Sequence, residues 1–364
     1  MALTVHFQAY RLRKQIKKLE HLNTRTLEHS KSNTPQIITL GEIMLRLSTP
    51  GYARFTQAQH FEVQYGGSEA NVAVALANFG LSAAHVTRFP KHELGVAATQ
   101  ALRKNNVETK HIVYGDERMG IYFVENGAMQ RSSKLIYDRF DSAFSHIKKG
   151  MIDWDEVFKN ASWFHWSGIT PAISQGAADV CLEAIEAARK NNVLVSGDIN
   201  YRRNLWQYGK TVQEIMPALI ASTDFVIAGT TDIENCTGIT GDSFEEACAN
   251  FMKQYPAVKK VTTTIRDSIS SSHNKISATL WDGKKLINSQ AYDLTHIVDR
   301  IGAGDAYMAG LIYGWLTKKD DQQTLEFATA ATVWKHSVEG DVNIATVAEI
   351  EALARGENVG RLLR

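Results

Sequence analysis

Cysteine is scarce in this chain of 364 residues: Cys181, Cys236 and Cys248 are the whole supply, and no two form a C-x-x-C pair. A disulfide-stapled scaffold is thereby excluded, and reduced thiols of a cytoplasmic protein are expected. No run of about 18 consecutive apolar residues exists, so no transmembrane helix is expected. Familiar catalytic signatures are missing too. Gly209-Lys210-Thr211 does not close a phosphate-binding P-loop, because position 204 is Asn rather than Gly. After Gly302 and Gly304 the sixth position is Tyr307, so the G-x-G-x-x-G fingerprint is absent. H-E-x-x-H, G-x-S-x-G and an EF-hand loop are absent, and the 12 histidines show no metal-ligand spacing. What is present is an ordinary globular composition. Apolar residues make up 44%, enough for a large core, and charged residues 22%, with a mean hydropathy of -0.23. Wholesale disorder and a fibrous chain are excluded.

The net charge of +1 hides an asymmetry. Residues 1–36 carry seven lysines and arginines against two glutamates, a net +5, which leaves the remainder at −4. A slightly acidic body argues against nucleic acid as the main partner. The basic leader has no apolar core and no small-residue cleavage site, so a secretory signal is not expected. A transit peptide, an amphipathic surface helix and an extension without function all remain open for it. The expected organisation is a flexible basic extension (1–36), one α/β domain (37–355) and a short C-terminal tail (356–364).

From Ile37 onward, short apolar runs alternate with amphipathic helical runs. Strands are expected at 37–40, 84–86, 163–166, 193–196, 225–228 and 260–264. Helices are expected at 70–79, 94–105, 175–190, 212–221 and 243–254. Such alternation implies parallel β-α-β units and a doubly wound sheet. Two stretches break it: about 42–65, with Ile43, Leu45 and Leu47 at period two, and about 119–140, with Ile121 and Phe123. Strands without crossover helices do not belong inside a parallel sheet. They are expected to form a small separate sheet over one edge, where ligands of open α/β sheets bind, and to act as a lid.

Four segments carry candidate chemistry. In Asp299-Arg-Ile-Gly-Ala-Gly-Asp305, two glycines and an acid open an apolar helix. Gly302, Ala303 and Gly304 would present free N–H groups to an anion. Asp305 either takes a proton from an attacking alcohol or merely caps the helix. Gly66-Gly67-Ser68-Glu69-Ala70-Asn71 is a second glycine pair running into a helix, which would bring backbone amides and Asn71 to a polyhydroxylated ligand. Asp198-Ile-Asn200-Tyr-Arg202 leaves a buried strand, and Arg202 suits a carboxylate or phosphate. Tyr137 and Arg139 alternate onto one strand face, which suits a small acidic sugar or is a plain charged edge.

Together, Gly-Gly-Ser-Glu-Ala-Asn near the start and Asp-x-x-Gly-Ala-Gly-Asp-Ala near the end resemble the ribokinase-like (PfkB) sugar kinase family, over residues 36–355. Ser167-Gly-Ile-Thr-Pro171, the Asp198–Arg202 segment with Leu205-Trp206, and Tyr137-x-Arg139 resemble its 2-keto-3-deoxygluconate kinase branch. The resemblance implies a ribokinase-like α/β fold, ATP and Mg²⁺, a sugar-acid substrate and a homodimer formed through the lid. It implies Asp305 as base beside Gly302, Ala303 and Gly304. Gly66, Gly67, Asn71, Tyr137, Arg139, Arg202 and Asp341 are expected at the sugar, and Asn200, Thr264, Arg266 and Ser268 at the nucleotide.

Two departures stand out. The family's Asn-x-x-Glu, linked to magnesium and phosphate, is replaced by Gly229-Thr-Thr-Asp232, leaving Asp232 as the metal-side acid. The nucleotide loop, expected at Thr263–His273, contains no glycine. The expected activity is phosphorylation of 2-keto-3-deoxy-D-gluconate on its primary hydroxyl. A kinase of a neutral sugar, and a silent sugar-binding regulator that kept the fold, are the alternatives.

Overall fold

Ile37 and Ile38 lie side by side in strand β1 (Gln36–Leu40), yet they enter different cores. Successive strand side chains point to opposite faces, so a strand apolar on both faces must be covered on both. The computed structural model describes residues 36–357; the basic leader and the end of the tail, residues 1–35 and 358–364, lie outside the described residues. Around β1 the main sheet continues through β4 (Ser82–Pro90), β5 (Ile112–Gly115), β8 (Ala161–Ser167), β9 (Leu194–Asp198), β10 (Phe225–Ile227) and β11 (Lys260–Ser268). The spatial order is β11-β10-β9-β8-β1-β4-β5, all parallel. One face is covered by α1 (Ser68–Asn78), α2 (Glu93–Lys104) and the later α9 (Ala303–Leu316) and α10 (Asp321–Lys335). The other is covered chiefly by α5 (Gln175–Lys190), α6 (Val212–Ile220) and α8 (Phe244–Gln254). From β1 the chain runs outward to β4 and β5, then returns to β8 and proceeds the opposite way. The topological switch point therefore falls between β1 and β8, where an open α/β sheet opens a crevice.

The sequence reading stops short at the far edge. Residues 263–268 belong to β11, not to a loop, because β11 pairs antiparallel with β12 (Asn274–Trp281) from Val261 to Ser268. Thr263, Thr264 and Ile265 are β-branched and pair with Thr279, Ala278 and Ser277. Only 269–273 form the turn. Strands β13 (Leu286–Asn288) and β14 (Tyr292–Leu294), helix α10 and the final helix α11 (Val347–Ala354) also fall where the sequence reading assigns no element.

The second sheet has the order β3-β2-β6-β7, with β2 (Met44–Ser48), β3 (Glu62–Gly66), β6 (Ile121–Glu125) and β7 (Lys134–Asp138). Its pairing is antiparallel except between β2 and β6. It is fastened to the main body by a buried charge cluster. From β2, Arg46 Nη2 donates to Asp299 at 2.6 Å and Nη1 to Asp341 at 2.5 Å, all three side chains being at most 5% exposed. Tyr122 of β6 donates its hydroxyl proton to the other oxygen of Asp341. Removing one member of such a group leaves uncompensated buried charge, which costs roughly 3–5 kcal/mol. Arg46→Met is therefore expected to lower unfolding stability by about that amount, read from the urea midpoint at constant m-value; an unchanged midpoint would contradict this fastening.

Candidate active site

Two glycine turns that are far apart in sequence meet at the crevice. The first N-caps α1 and the second N-caps α9. Gly302 takes φ +80°, open to glycine at little cost, and a Cβ there would run into the backbone carbonyl of Asp341. A Cβ on Gly67 would likewise strike the carbonyl of Glu42. Both turns are thus held against neighbouring backbone. The first-turn N–H groups of α9 have no acceptor within the helix; Ala303 N–H reaches Arg300 O at 3.4 Å, and Ala303, Gly304 and Asp305 line the crevice. Asp305, in that first turn, is fixed by α1: Ser68 Oγ donates to Oδ1 at 2.7 Å and Asn71 Nδ2 to Oδ2 at 2.7 Å. Each carboxylate oxygen keeps accepting capacity for a further donor. Asp305 does not close a side-chain cap on its own helix; its partners belong to the other motif.

These groups line one cavity of about 370 Å³. Its walls come from the segment after β1 (Glu42), the two glycine turns, the small sheet (Tyr122, Tyr137, Arg139), the exit of β9 (Asp198, Asn200, Arg202) and the edge beyond (Arg266, Arg300). Of the residues singled out from sequence, the cavity brings together Gly66, Gly67, Asn71, Tyr137, Arg139, Asn200, Arg202, Arg266, Gly302, Ala303, Gly304, Asp305 and Asp341. Thr264, Ser268 and Asp232 are not among its lining. Asp232 sits in the first turn of α7 (Thr230–Thr237), where Oδ2 accepts the Gly229 N–H at 3.0 Å.

The cavity is electrostatically divided. Burial pushes the Asp305 carboxyl up to about 6, against the hydrogen bonds from Asn71 and Ser68 that favour its ionised form. Burial, followed by the nearby Asp305 and Asp232, pushes Asp198 up to about 7. Burial raises Glu69 to about 8, although Thr170 and the Ser167 N–H donate to it. Cations line the same cavity, and Arg202 lowers Asp198 against its burial. Arg202 is exposed, and its guanidinium makes no hydrogen bond or ion pair among the described residues, while its backbone carbonyl accepts from Leu205 N–H at 3.0 Å. Arg266 is lowered by burial and then by Arg300. Arg300 also donates to Ser271 O at 2.6 Å in the β11–β12 turn. That turn reaches the small sheet's loop, with Ser271 N–H donating to Met129 O at 2.9 Å and Ser271 Oγ to Arg131 O at 2.8 Å.

Sequence reasoning missed Glu42, Tyr122, Asp198 and Arg300 as lining residues. Glu42 was within reach, since it follows the first strand directly, at the carboxyl end where such sheets bind ligands. Tyr122 stacks on Tyr137 with ring centroids 5.8 Å apart across the β6–β7 pair, and only the strand register reveals that.

The chain matches the pfkB family carbohydrate kinase over residues 34–346. It belongs to that family. The match takes in both glycine turns and every cavity segment named above. This carbohydrate kinase is 29% identical to the 2-dehydro-3-deoxygalactonokinase of Haloferax volcanii, over 90% of this chain and 99% of that protein. It is 25% identical to the 5-dehydro-2-deoxygluconokinase of Bacillus subtilis, over 88% and 96%. Among solved structures it is similar to the 2-dehydro-3-deoxygluconokinase of Thermotoga maritima, at 42% identity and a TM-score of 0.84, covering 88% of this chain and all of that one. A fructokinase with bound ATP from Xylella fastidiosa, at 19% identity and TM-score 0.74 over 88% and 98%, shares the fold alone. The fold is ribokinase-like: a large, mostly parallel sheet with a smaller separate one. Among the described residues no helix is long and apolar enough to cross a membrane.

Proposed function

We propose that this carbohydrate kinase transfers the γ-phosphoryl group of ATP to the primary hydroxyl of 2-keto-3-deoxy-D-gluconate, giving the 6-phosphate. One observation carries the reading: a single cavity holds an unpaired guanidinium, Arg202, and a carboxylate whose protonation is set near neutrality, Asp305. A sugar acid has a group for each, a carboxylate at one end and a primary alcohol at the other. A neutral sugar leaves the arginine unused. The relatives of similar length act, by their names, on deoxy keto sugar acids.

In this mechanism Asp305 accepts the alcohol proton as the oxygen attacks phosphorus, and Ser68 and Asn71 hold the carboxylate in place while it does so. The first-turn N–H groups at Gly304 and Asp305 face the charge that builds on the transferred group, and their fixed orientation is the main electrostatic aid to such a transfer. Gly66, Gly67, Tyr137 and Asp341 bound the sugar. Arg266, Asn200 and the hydroxyls of Thr264 and Ser268 form the nucleotide side. Mg²⁺ would neutralise phosphate oxygens. Among the described residues no group of three or more His, Cys, Asp or Glu is arranged to hold a metal ion, so the cation would be held chiefly by the phosphates, with Asp232 reaching it through water. The small sheet serves as the lid. Three buried thiols fit a reducing cytoplasm.

The lid's outer face supports a homodimer. In register across its four strands, Val63, Leu47, Phe123 and Ile136 form one apolar stripe. Val63 is 59% and Ile136 53% exposed. The stripe is exposed at its two ends and half-buried at Leu47 and Phe123, and an apolar band reaching the surface in this way suits an interaction surface.

Asp305→Asn is expected to reduce kcat by at least three orders of magnitude while leaving sugar-acid binding by calorimetry within about threefold; unchanged kcat would remove Asp305 from the mechanism. A base must be ionised, so with its carboxyl near 6 the wild-type kcat should fall about tenfold per pH unit below that value and level off above it. ADP release with the keto acid, fructose, ribose and no sugar tests the substrate. Release with neutral sugars alone would move the assignment to a fructokinase-like enzyme, and binding without release would point to a silent regulator. Arg202→Ala should raise KM for the acid on the order of 10- to 100-fold, the worth of one charged hydrogen bond. Val63→Lys with Ile136→Lys should shift a dimer to a monomer in light scattering.

A further inference from the structure

Arg139 is the lid arginine expected to read the substrate carboxylate, yet its guanidinium is already engaged. Nε donates to Glu42 Oε2 at 2.9 Å and Nη2 donates to the same atom at 2.5 Å. An arginine facing a carboxylate side-on ordinarily uses both oxygens, one per N–H. Here both bonds converge on one oxygen. Glu42 is 4% exposed, and its Oε1 is buried without a hydrogen-bond partner among the described residues. A buried carboxylate oxygen left unpaired is costly, and of the buried side-chain atoms without a partner among the described residues this one belongs to a residue lining the cavity. Glu42 also lines the cavity that holds Asp305 and Arg202. The room beside Oε1 depends on a glycine: a Cβ on Gly120 would lie 2.6 Å from it.

We propose that Glu42 is a specificity-determining residue whose Oε1 accepts a hydrogen bond from a secondary hydroxyl of the sugar acid, while its Oε2 holds Arg139 in place. The inference rests on the sugar-acid kinase reading and adds to it a division of labour. The primary hydroxyl belongs to Asp305, and the carboxylate belongs to Arg202, the arginine with no protein partner. Arg139, charge-balanced by Glu42, offers its remaining N–H edge as a neutralised donor beside the Oε1 acceptor. A donor and an acceptor side by side recognise a hydroxyl, which is both. A carboxylate placed there would meet Glu42 as a like charge, so the pair also sets which end of the substrate enters.

The test uses 2-keto-3-deoxygluconate and its 4-deoxy and 5-deoxy analogues with the full-length enzyme. The wild type should lose 10- to 100-fold in kcat/KM for one of the two analogues, the worth of one hydrogen bond to a charged acceptor. Glu42→Gln keeps the shape and an acceptor for Arg139, and should treat that analogue and the parent acid alike within about threefold. Gly120→Ala keeps both side chains of the Glu42–Arg139 pair but crowds Oε1, and should erase the same penalty. Because the readout is a ratio of two substrates on one enzyme, partial misfolding of either variant does not imitate it. A wild-type enzyme indifferent to both deletions, or variants that keep the full penalty, would overturn the role of Glu42. No ADP release from the wild type with the parent acid would instead overturn the functional reading beneath it.

Discussion

Everything at the crevice depends on a guanidinium buried between two carboxylates. Arg46 belongs to the small sheet, while Asp299 and Asp341 flank the second glycine turn from opposite directions in the chain. Gly302 abuts the Asp341 backbone, so the residue that anchors the small sheet also shapes the turn carrying Asp305. Lys335, fully buried and lowered by its burial, adds a second cation facing Asp299 and Asp341. Buried ion pairs of this kind contribute little net stability, because desolvation consumes their attraction. What they do contribute is position. A charge with two fixed partners has one place to be, and the small sheet inherits that place.

The half of the cavity around the two glycine turns was legible because it is built from local signals. A glycine pair, a polar residue and an apolar helix can be read within six residues, and both glycine turns have that form. Their meeting through Asp305, Ser68 and Asn71 adds only the pairing. The half formed by the small sheet was less legible. Alternation along β2 and β6 tells which residues share a face, but not that Arg46 meets Asp341 or that Tyr122 lies over Tyr137. Those contacts come from register and from partners more than 200 residues away. The stretch 263–273 was misread for a different reason. Threonines and serines without apolar alternation look like a loop, but hydrogen bonding to a neighbouring antiparallel strand makes a ribbon of them. Such partners are invisible to a pattern tuned to parallel β-α-β units.

The division of charge across the cavity follows from the topology. Residues at the carboxyl ends of adjacent parallel strands crowd together. Burial raises both Asp198 at the end of β9 and Asp305 at the head of α9; the nearby Asp305 then adds to the rise of Asp198, and Asp341 to that of Asp305. The arginines enter from elements outside the parallel core: the small sheet, the polar exit beyond β9 and the antiparallel ribbon. The parallel core thus supplies acids and its attachments supply arginines, and a sugar acid, with one carboxylate and a nucleophilic hydroxyl, has a group for each.

The ribbon's turn does more than close an edge. Through Ser271 it is bonded to the loop of the small sheet at Met129 and Arg131 and to Arg300 beside the second glycine turn. The ribbon, the small sheet's loop and the approach to the second glycine turn are therefore joined at one residue. Ordering that a ligand imposed on one of these segments would be shared by the other two, and a second ligand would then meet part of its ordering cost already met. Linkage would make such assistance mutual and equal in size. Three hydrogen bonds at a serine turn thus tie together segments that are far apart in the chain.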